Sequence, residues 1–358
     1  MTLRVSFFPN SPYWDVNPSL ALLRSALQAQ GVTLVKPPGD GLGLRWLWTQ
    51  RGQVDLLHFH WIQYHYQRPG QRGSTWRLAK FAAKLLLARL LGYRLVWTLH
   101  NVLPHERARG QLDVYARWLM ARLAHRILIY CEASRQTLPE QVRHKVWITG
   151  RGAYNEMSFA PIAPTAARAE LGLATDAFVY LYFGFIRRYK RVPELAQTFS
   201  SLSGERLLLA GDIHEPAIGA ELAPWLHGDQ RIIAEFGNLP EARLRLLLAA
   251  ADVVVLPFKQ ILSSASALLA PTAGRPVIAP ALGCLPEWIT PDCGVLYDPA
   301  DPNGLRRAMV EVQGMQIAAL QQAALARAAC FRWDHAARAT IAAYHAAVHD
   351  VVQSRSVS

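Results

Sequence analysis

Short apolar runs alternate with longer helical patterns along the whole chain, and this alternation limits the fold more than any other feature. A strand, a helix and a second parallel strand form one βαβ unit, and successive units build a mostly parallel sheet. The pattern therefore predicts an α/β protein with two Rossmann-like domains. Strands are predicted at 3–8, 56–60, 95–99, 127–131, 178–183, 206–209, 232–236, 253–256, 276–279 and 294–297, and helices at 19–30, 115–124, 193–202, 241–250 and 303–312.

The length of 358 residues is sufficient for two domains of roughly 150 to 180 residues each. Prolines in the segment 160–165 predict an extended linker. We therefore expect an N-terminal domain at 1–160, a C-terminal domain at 161–330, and a helix and tail at 331–358 that cross back onto the first domain. Two such domains are expected to face a central cleft at the carboxyl ends of their strands, where ligands bind in this class.

The positive charge is concentrated in the first domain. Residues 1–160 contain 21 lysines and arginines against 8 acidic residues, a net charge of +13, whereas the remainder contains 17 against 18, a net charge of −1. A basic domain is typical of proteins that bind a polyanion, either nucleic acid or an anionic membrane surface. No helix-turn-helix, zinc-finger or aromatic RNA-binding signature accompanies the charge, so nucleic acid is not expected.

The densest basic stretch, 74–94, sets cations every three to five residues among aromatic and leucine residues. This spacing is typical of a helix lying in a lipid headgroup layer, and equally of a surface helix packed on its own domain. No apolar leader run begins the chain and no run of about 18 uncharged apolar residues occurs in it. We therefore expect a cytoplasmic protein, peripheral on the inner face of the cell membrane. The predicted membrane-facing residues are Trp76, Arg77, Lys80, Lys84 and Arg89.

Two loops in the second domain carry anion-binding chemistry. A glycine turn at Gly184 follows one predicted strand and leads through Arg187 and Lys190 into a helix. Guanidinium and ammonium groups beside a helix start are suited to phosphate. A serine cluster follows a second strand and precedes an apolar run, where serines cap helices and where an anion can also bind. It comprises Ser263, Ser264 and Ser266.

The second half resembles the donor domain of GT-B glycosyltransferases of the large family-4 type. The resemblance rests on the Gly184 to Lys190 spacing, on segments 236–239 and 251–257, and on 274–279, 283–287 and 294–299. A closer resemblance, through both halves, is to the GDP-mannose-dependent glycolipid β-1,4-mannosyltransferases of xanthan-type exopolysaccharide assembly. Its matching residues are Asn17–Pro18, 55–61, 98–101, 104–106, 183–184, Ile186, Arg187, Tyr189, Lys190, 256–257 and 259–260.

The resemblance implies a nucleotide-sugar donor, most simply GDP-mannose, and a lipid-linked saccharide or glycan acceptor. It implies that donor contacts come from Gly184, Arg187, Lys190, the three serines, Asn238 and Leu239 near the base, and Glu287. It also implies that Asn17 and Trp61 lie on the acceptor side.

The chain departs from the family-4 pattern at its carboxylates. The two glutamates spaced eight residues apart in retaining enzymes are replaced by Ile261 and Leu269, and the usual arginine after the glycine is Phe185. We therefore expect an inverting transfer, in which a base removes the acceptor proton while cations stabilise the leaving diphosphate. No Asp-x-Asp pair occurs, so neither a metal nor another cofactor is expected.

The base is expected at the strand ends of the first domain. Glu106 is the first candidate, followed by His100 and His60, with His105 and Asp15 as further possibilities. His58 and His60 are expected on opposite faces of their strand, which would prevent them from chelating one metal ion.

The function expected from these features is transfer of mannose to a lipid-linked or glycan acceptor. Two alternatives stay open. One is another GT-B enzyme, either a UDP-sugar-dependent transferase or a sugar-nucleotide epimerase. The other is a non-catalytic membrane-binding or nucleic-acid-binding protein on the same scaffold.

Overall fold

Two parallel β-sheets, one in each of two compact units, form the framework of the protein. The first unit comprises Met1–Gly152 and Arg332–Ser358, and the second comprises Ala153–Phe331. The computed structural model describes residues 2–8, 18–37, 42–67, 74–101, 110–155 and 162–355.

The described part of the first unit forms a six-stranded parallel sheet in the order β2-β1-β3-β4-β5-β6. Phe8 is paired with Phe59, and Phe59 with Trp97, so the carboxyl ends of β1, β3 and β4 lie at one edge. The strands are β1 (Arg4–Phe8), β2 (Thr33–Leu34), β3 (Leu56–Phe59), β4 (Arg94–Thr98), β5 (Arg126–Ile129) and β6 (Val146–Ile148). The helices between them are α1 (Pro18–Ala29), α2 (Leu44–Thr49), α3 (Thr75–Leu90) and α4 (Gly110–Leu123).

The described part of the second unit forms another six-stranded parallel sheet, in the order β12-β11-β10-β7-β8-β9. All five residues of the central strand β7 are buried, as expected for a parallel strand covered by helices on both faces. The strands are β7 (Val179–Phe183), β8 (Arg206–Gly211), β9 (Ile232–Phe236), β10 (Val253–Val255), β11 (Val277–Pro280) and β12 (Gly294–Tyr297). The helices are α5 (Pro164–Glu170), α6 (Val192–Ser200), α7 (Pro216–Gly228), α8 (Glu241–Ala250), α9 (Ser266–Thr272), α10 (Leu285–Trp288), α11 (Gly304–Gln313) and α12 (Ile317–Cys330).

The last helix, α13 (Trp333–Arg355), belongs to the first unit and packs there against α1, β4 and β5. A Cβ atom on Gly152 would lie 2.3 Å from the Trp333 ring, so only glycine permits this close approach. Tyr344 of α13 is fully buried beneath the sheet residues.

The predicted α/β class with two parallel sheets is confirmed. The short strands β2 and β6 were not predicted, because two or three residues are too few to establish a period. The predicted linker is wrong at its end: Pro164 begins helix α5 instead of extending the chain. The fixed φ angle of proline suits the first helical turn, where no N–H partner is needed.

Candidate active site

Backbone turns at the carboxyl edge of the second sheet approach each other closely. Gly184 follows β7 with φ of 113°, and Gly211 ends β8 with φ of 143°, both in the region that disfavours side chains. A Cβ atom on Gly211 would lie 2.1 Å from the carbonyl oxygen of Gly184. Glycine at 211 is therefore required for the two turns to meet.

Lys190 is the most unusual cation of this edge. It lies in a 3-10 turn at Arg188–Lys190, is only 8% exposed, and places Nζ 4.4 Å from the centroid of the Phe258 ring. Burial, and secondarily the charge of Arg187, lower the pKa of Lys190 to about 7. No carboxylate among the described residues forms an ion pair with it. A ligand anion would supply the missing counter-charge.

The neighbouring cations differ from Lys190 in their surroundings. The Arg187 guanidinium lies 5.2 Å from the centroid of the exposed Phe185 ring. Arg188 is exposed and forms an ion pair with Glu221, so its charge is already balanced. The backbone N–H of Lys259 donates to the Tyr189 carbonyl at 2.8 Å, which joins the loop after β7 to the loop after β10.

The predicted serine cluster lies at the same edge. Ser266 begins α9, and its Oγ is 3.4 Å from the position a Cβ atom of Gly184 would occupy. Ser264 is buried, and its hydroxyl accepts the N–H of Ala267 at 3.4 Å, as a helix cap would. Ser263 precedes it in the same half-buried segment. The structure thus brings Ser266 of the cluster to the glycine turn.

The remaining predicted donor residues lie farther along the edge. Asn238 is exposed and Leu239 half-buried, in the loop after β9, where the Gly237 N–H donates to the Gly211 carbonyl at 3.1 Å. Glu287 is exposed on α10, which follows the opposite part of the sheet beyond β11. Asn238 and Leu239 therefore lie in a loop that is hydrogen-bonded to the Gly211 turn. Glu287 instead follows β11, which is two strands away from β7 in the sheet.

In the first unit, predicted residues meet at the carboxyl ends of β3 and β4. His60 Nδ1 and His100 Nε2 are 3.0 Å apart, and the Trp61 ring stacks on His100 with centroids 4.3 Å apart. His100 Nδ1 also lies 3.1 Å from the Tyr130 hydroxyl, at the end of β5. Burial lowers the pKa of His60 to about 3 and holds the pKa of His100 well below its ordinary value. Both rings are therefore neutral at physiological pH.

The expectation that His58 and His60 lie on opposite faces is wrong. Their ring centroids are 4.2 Å apart, because residues two apart in a strand share a face. His58 has both nitrogens in hydrogen bonds of 2.7 Å, one with Tyr344 and one with Thr98. Among the described residues no group of three His, Cys, Asp or Glu side chains could hold a metal ion.

A small cavity of about 30 Å³ opens beside His60, His100 and Trp61, with room for a single hydroxyl group or water molecule. Its wall includes Asp113, a buried carboxylate in the first turn of α4. Asp113 Oδ1 accepts the Tyr66 hydroxyl at 2.6 Å and the Gln67 amide at 2.9 Å.

Sequence reasoning missed Asp113 and Tyr130. The predicted helix began at residue 115, after Asp113, and Tyr130 was counted inside the predicted strand 127–131. Tyr130 is in fact the first residue after β5, so exact strand ends would have pointed to it. Four predicted residues lie outside the described part of the chain, namely Asn17, Glu106, His105 and Asp15.

The predicted membrane residues lie on α3, which has two apolar stripes. Phe81, Leu85 and Ala88 form a buried stripe, so the helix does pack on its own domain. A second stripe of Trp76, Ala79, Ala83, Leu86 and Leu90, at spacings of three and four, is exposed. Its larger side chains, Trp76, Leu86 and Leu90, are 66%, 50% and 84% exposed.

Cations flank this exposed stripe. Lys80 Nζ lies 4.8 Å from the centroid of the Trp76 ring, and the Arg89 guanidinium donates to the Leu123 carbonyl. Arg77 and Lys84 are half-buried. None of the four has an ion-pair partner among the described residues. In the part of the chain that the structure describes, no helix is both long and apolar enough to cross a bilayer.

Two parallel sheets with surrounding helices match the GT-B fold, and the comparisons that follow identify the chain as a glycosyltransferase. Residues 177–314 match the family model described as glycosyl transferases group 1, so the second unit carries a group 1 glycosyltransferase domain.

Relatives of known name agree with this class. The chain is 28% identical over 302 residues to a GDP-mannose:glycolipid 4-beta-D-mannosyltransferase of Xanthomonas campestris pv. campestris, covering 83% of this chain and 80% of the relative. It is 28% identical over 359 residues to a D-inositol 3-phosphate glycosyltransferase of Streptomyces scabiei, covering 94% and 77%. Sucrose-phosphate synthase from Thermosynechococcus elongatus shares the fold, with a TM-score of 0.72 at 18% identity and coverage of 96% and 98%.

Proposed function

We propose that this glycosyltransferase transfers mannose from GDP-mannose to a lipid-linked or glycan acceptor at the inner face of the cell membrane, with inversion and without a metal ion. The observation that carries the proposal is Lys190, a buried cation with no carboxylate partner among the described residues. An ammonium group held over an aromatic ring and beside a second cation is costly unless an anion binds there.

The diphosphate of a nucleotide sugar is the anion that fits this position. Lys190 and Arg187 would stabilise the negative charge that develops on the leaving diphosphate, a task that a metal ion performs in other enzymes. Gly184 places no side chain at this turn, Gly211 lets its own backbone approach that of Gly184, and the hydroxyl of Ser266 lies beside the same turn. These features support a donor site without a metal requirement.

The choice of GDP-mannose, the acceptor and the stereochemistry is supported by the Xanthomonas campestris relative, whose name specifies GDP-mannose, a glycolipid and a 4-beta linkage. The replacement of the paired glutamates by Ile261 and Leu269 also supports inversion. An inverting transfer needs a base on the acceptor side. His60 and His100, beside the cavity of the first unit, are candidates for this role together with Glu106.

Membrane association is supported by the exposed stripe of α3. Aromatic and leucine side chains flanked by cations suit the boundary between headgroups and acyl chains. Helix α4, which packs against α3, adds exposed Val114, Tyr115 and Trp118. The Arg122 guanidinium lies 5.1 Å from the centroid of the Trp118 ring. An anionic lipid surface would complement both the charge and the apolar area.

The donor proposal is tested by calorimetric binding of GDP, UDP, ADP and their sugars, with and without EDTA. We expect selective, EDTA-insensitive binding of GDP species, and a loss of roughly 10²-fold in transfer rate for Lys190→Ala and for Arg187→Ala. Arg188→Ala is the matched control, since that arginine lies in the same turn but is paired with Glu221.

Each other outcome has a definite meaning. Selective UDP binding would overturn the proposed donor and favour a UDP-sugar enzyme, and loss of binding in EDTA would overturn metal independence. If no nucleotide binds, the second unit is a scaffold and the protein is not a transferase of this kind.

The membrane proposal is tested by sedimentation with vesicles that contain phosphatidylglycerol. Reversing the four cations Arg77, Lys80, Lys84 and Arg89 to glutamate should weaken binding at least about 10³-fold, at about 1 kcal/mol for each cation near an anionic surface. Leu90→Ser should weaken it further, whereas Val310→Ser, an exposed apolar residue of α11, serves as the matched control. Unchanged sedimentation of the charge-reversed protein would assign α3 to domain packing alone.

A further inference from the structure

Three polar side chains form a continuous hydrogen-bonded row across the carboxyl ends of three adjacent strands. His60 follows β3, His100 lies just beyond β4, and Tyr130 follows β5. The distance from His60 Nδ1 to His100 Nε2 is 3.0 Å, and that from His100 Nδ1 to the Tyr130 hydroxyl is 3.1 Å. His60 Nε2 is buried and has no hydrogen-bond partner among the described residues.

Neutral histidines permit only two arrangements of protons in this row, because each bond needs one donor and one acceptor. In the first, His60 donates from Nδ1 to His100, His100 donates from Nδ1 to Tyr130, and His60 Nε2 carries a lone pair. In the second, Tyr130 donates to His100, His100 donates from Nε2 to His60, and His60 Nε2 carries a proton. The protonation of His60 Nε2 is thus coupled to the Tyr130 hydroxyl.

Burial keeps both histidine rings neutral, so a proton can cross the row only if each ring gives up one proton as it takes another. It lowers the pKa of His60 to about 3 and holds that of His100 well below its ordinary value. The groups that face the pair include His58, whose ring lies 4.2 Å from His60, and Arg151, whose charge further lowers the pKa of His100. Neither ring can therefore easily become a cation. A ring that passes one proton on while it accepts another stays neutral.

We propose that His60, His100 and Tyr130 form a proton relay that carries the proton of the acceptor hydroxyl away from the cavity without forming a buried imidazolium. The proposal rests on the proposed function, since it deepens the acceptor side of that reaction.

The step conserves protons. The acceptor O–H bond breaks as a new N–H bond forms at His60 Nε2. The proton of His60 Nδ1 passes to His100 Nε2, and that of His100 Nδ1 passes to the Tyr130 oxygen. The original hydroxyl proton of Tyr130 leaves to solvent, and the acceptor oxygen forms its bond to the sugar while the donor diphosphate departs. The resting state is the first arrangement, because a buried N–H without a partner is costlier than a buried lone pair.

In the proposed relay His60, which lines the cavity, is the group that takes the acceptor proton, whereas His100 and Tyr130 act through it as positioning residues. A nearby row provides a control. Tyr344 bonds His58 Nδ1, but the other nitrogen of His58 bonds Thr98, so that row is closed and leaves no nitrogen for a ligand.

The relay is tested first by ¹⁵N NMR of histidine tautomers in the whole protein, which needs neither donor nor acceptor. Resonances are assigned with His60→Gln and His100→Gln. In the native protein we expect both rings to be protonated at Nδ1. In Tyr130→Phe the two rings should still carry their protons on like nitrogens, both on Nδ1 or both on Nε2, because the bond between them needs one donor and one acceptor. Tyr344→Phe should change only His58.

A native His60 protonated at Nε2, or rings that carry their protons on unlike nitrogens in either protein, would overturn the relay. This result is independent of whether GDP-mannose is the donor, so failure of the relay and failure of the proposed function are distinguishable.

The second test is the dependence of the transfer rate on the fraction of D₂O. A relay that moves several protons in one step should give a curved dependence in the native protein. Tyr130→Phe should lower kcat roughly 10²-fold, within the range of general acid–base effects, with KM for the donor unchanged. A linear dependence together with a native rate in Tyr130→Phe would contradict the relay, whereas Tyr344→Phe should keep the curvature.

Discussion

Lys190→Met should stabilise the protein while it removes tight donor binding. The lysine is 8% exposed, and its pKa falls from 10.5 to about 7 mainly because burial disfavours the ammonium form. At 1.36 kcal/mol for each pKa unit, the charged form costs the folded state roughly 4 to 5 kcal/mol. This is a net cost, in which the attraction of the ammonium group to the Phe258 ring is already included. We therefore expect methionine to raise the free energy of unfolding by roughly 4 kcal/mol at pH 6.

The stability that Lys190→Met gains over the native protein should decrease as the pH rises. Below pH 7 the lysine is charged in both folded and unfolded states, so the full penalty is present. Between pH 7 and 10.5 only the unfolded state holds the proton, and the stability of the native protein rises with pH. The advantage of Lys190→Met should therefore shrink steadily across that interval.

The assay is urea unfolding of native protein, Lys190→Met and the control Arg188→Met at pH 6, 7, 8 and 9. Saturating GDP-mannose should stabilise the native protein by mass action and leave Lys190→Met unchanged. A Lys190→Met protein that is less stable than native at every pH would refute the reasoning, because Lys190 would then stabilise the loop by its packing.

Two further outcomes follow from the same geometry. Donor binding above pH 7 should take up a proton, because the diphosphate restores the ammonium form of Lys190. Calorimetry in buffers of different ionisation enthalpy should detect this proton uptake in the native protein and not in Lys190→Ala. Gly211→Ala should lower the free energy of unfolding by about 1 to 3 kcal/mol or more. Its Cβ atom would lie 2.1 Å from the Gly184 carbonyl oxygen, on a residue whose φ is 143°. Equal stability of the native protein and Gly211→Ala in urea would contradict this.

The alternation of apolar runs and helical patterns was enough to predict the parallel α/β architecture, because strand and helix periods are local properties of the chain. The same local logic placed Gly184, Arg187 and Lys190 in one turn after a strand, and it predicts that this turn binds an anion. It also indicated the amphipathic character of α3.

Local patterns could not determine which residues from distant strands meet. His60, His100 and Tyr130 form one row only because β3, β4 and β5 are neighbours in the sheet. Strand order is set by tertiary packing, and a period carries no information about it. The sequence also could not show which stripe of α3 remains exposed, since two apolar stripes compete to pack on the domain.

The charge of Lys190 was evident from the sequence, but its chemical character was decided by the tertiary structure. Packing against Phe258, from a loop after a different strand, removes water from the ammonium group and lowers its pKa. The sequence by itself therefore determined the fold class and the residue types at the site. The tertiary structure decided their burial, their partners and the free energy of their charges, because these depend on which segments exclude water together.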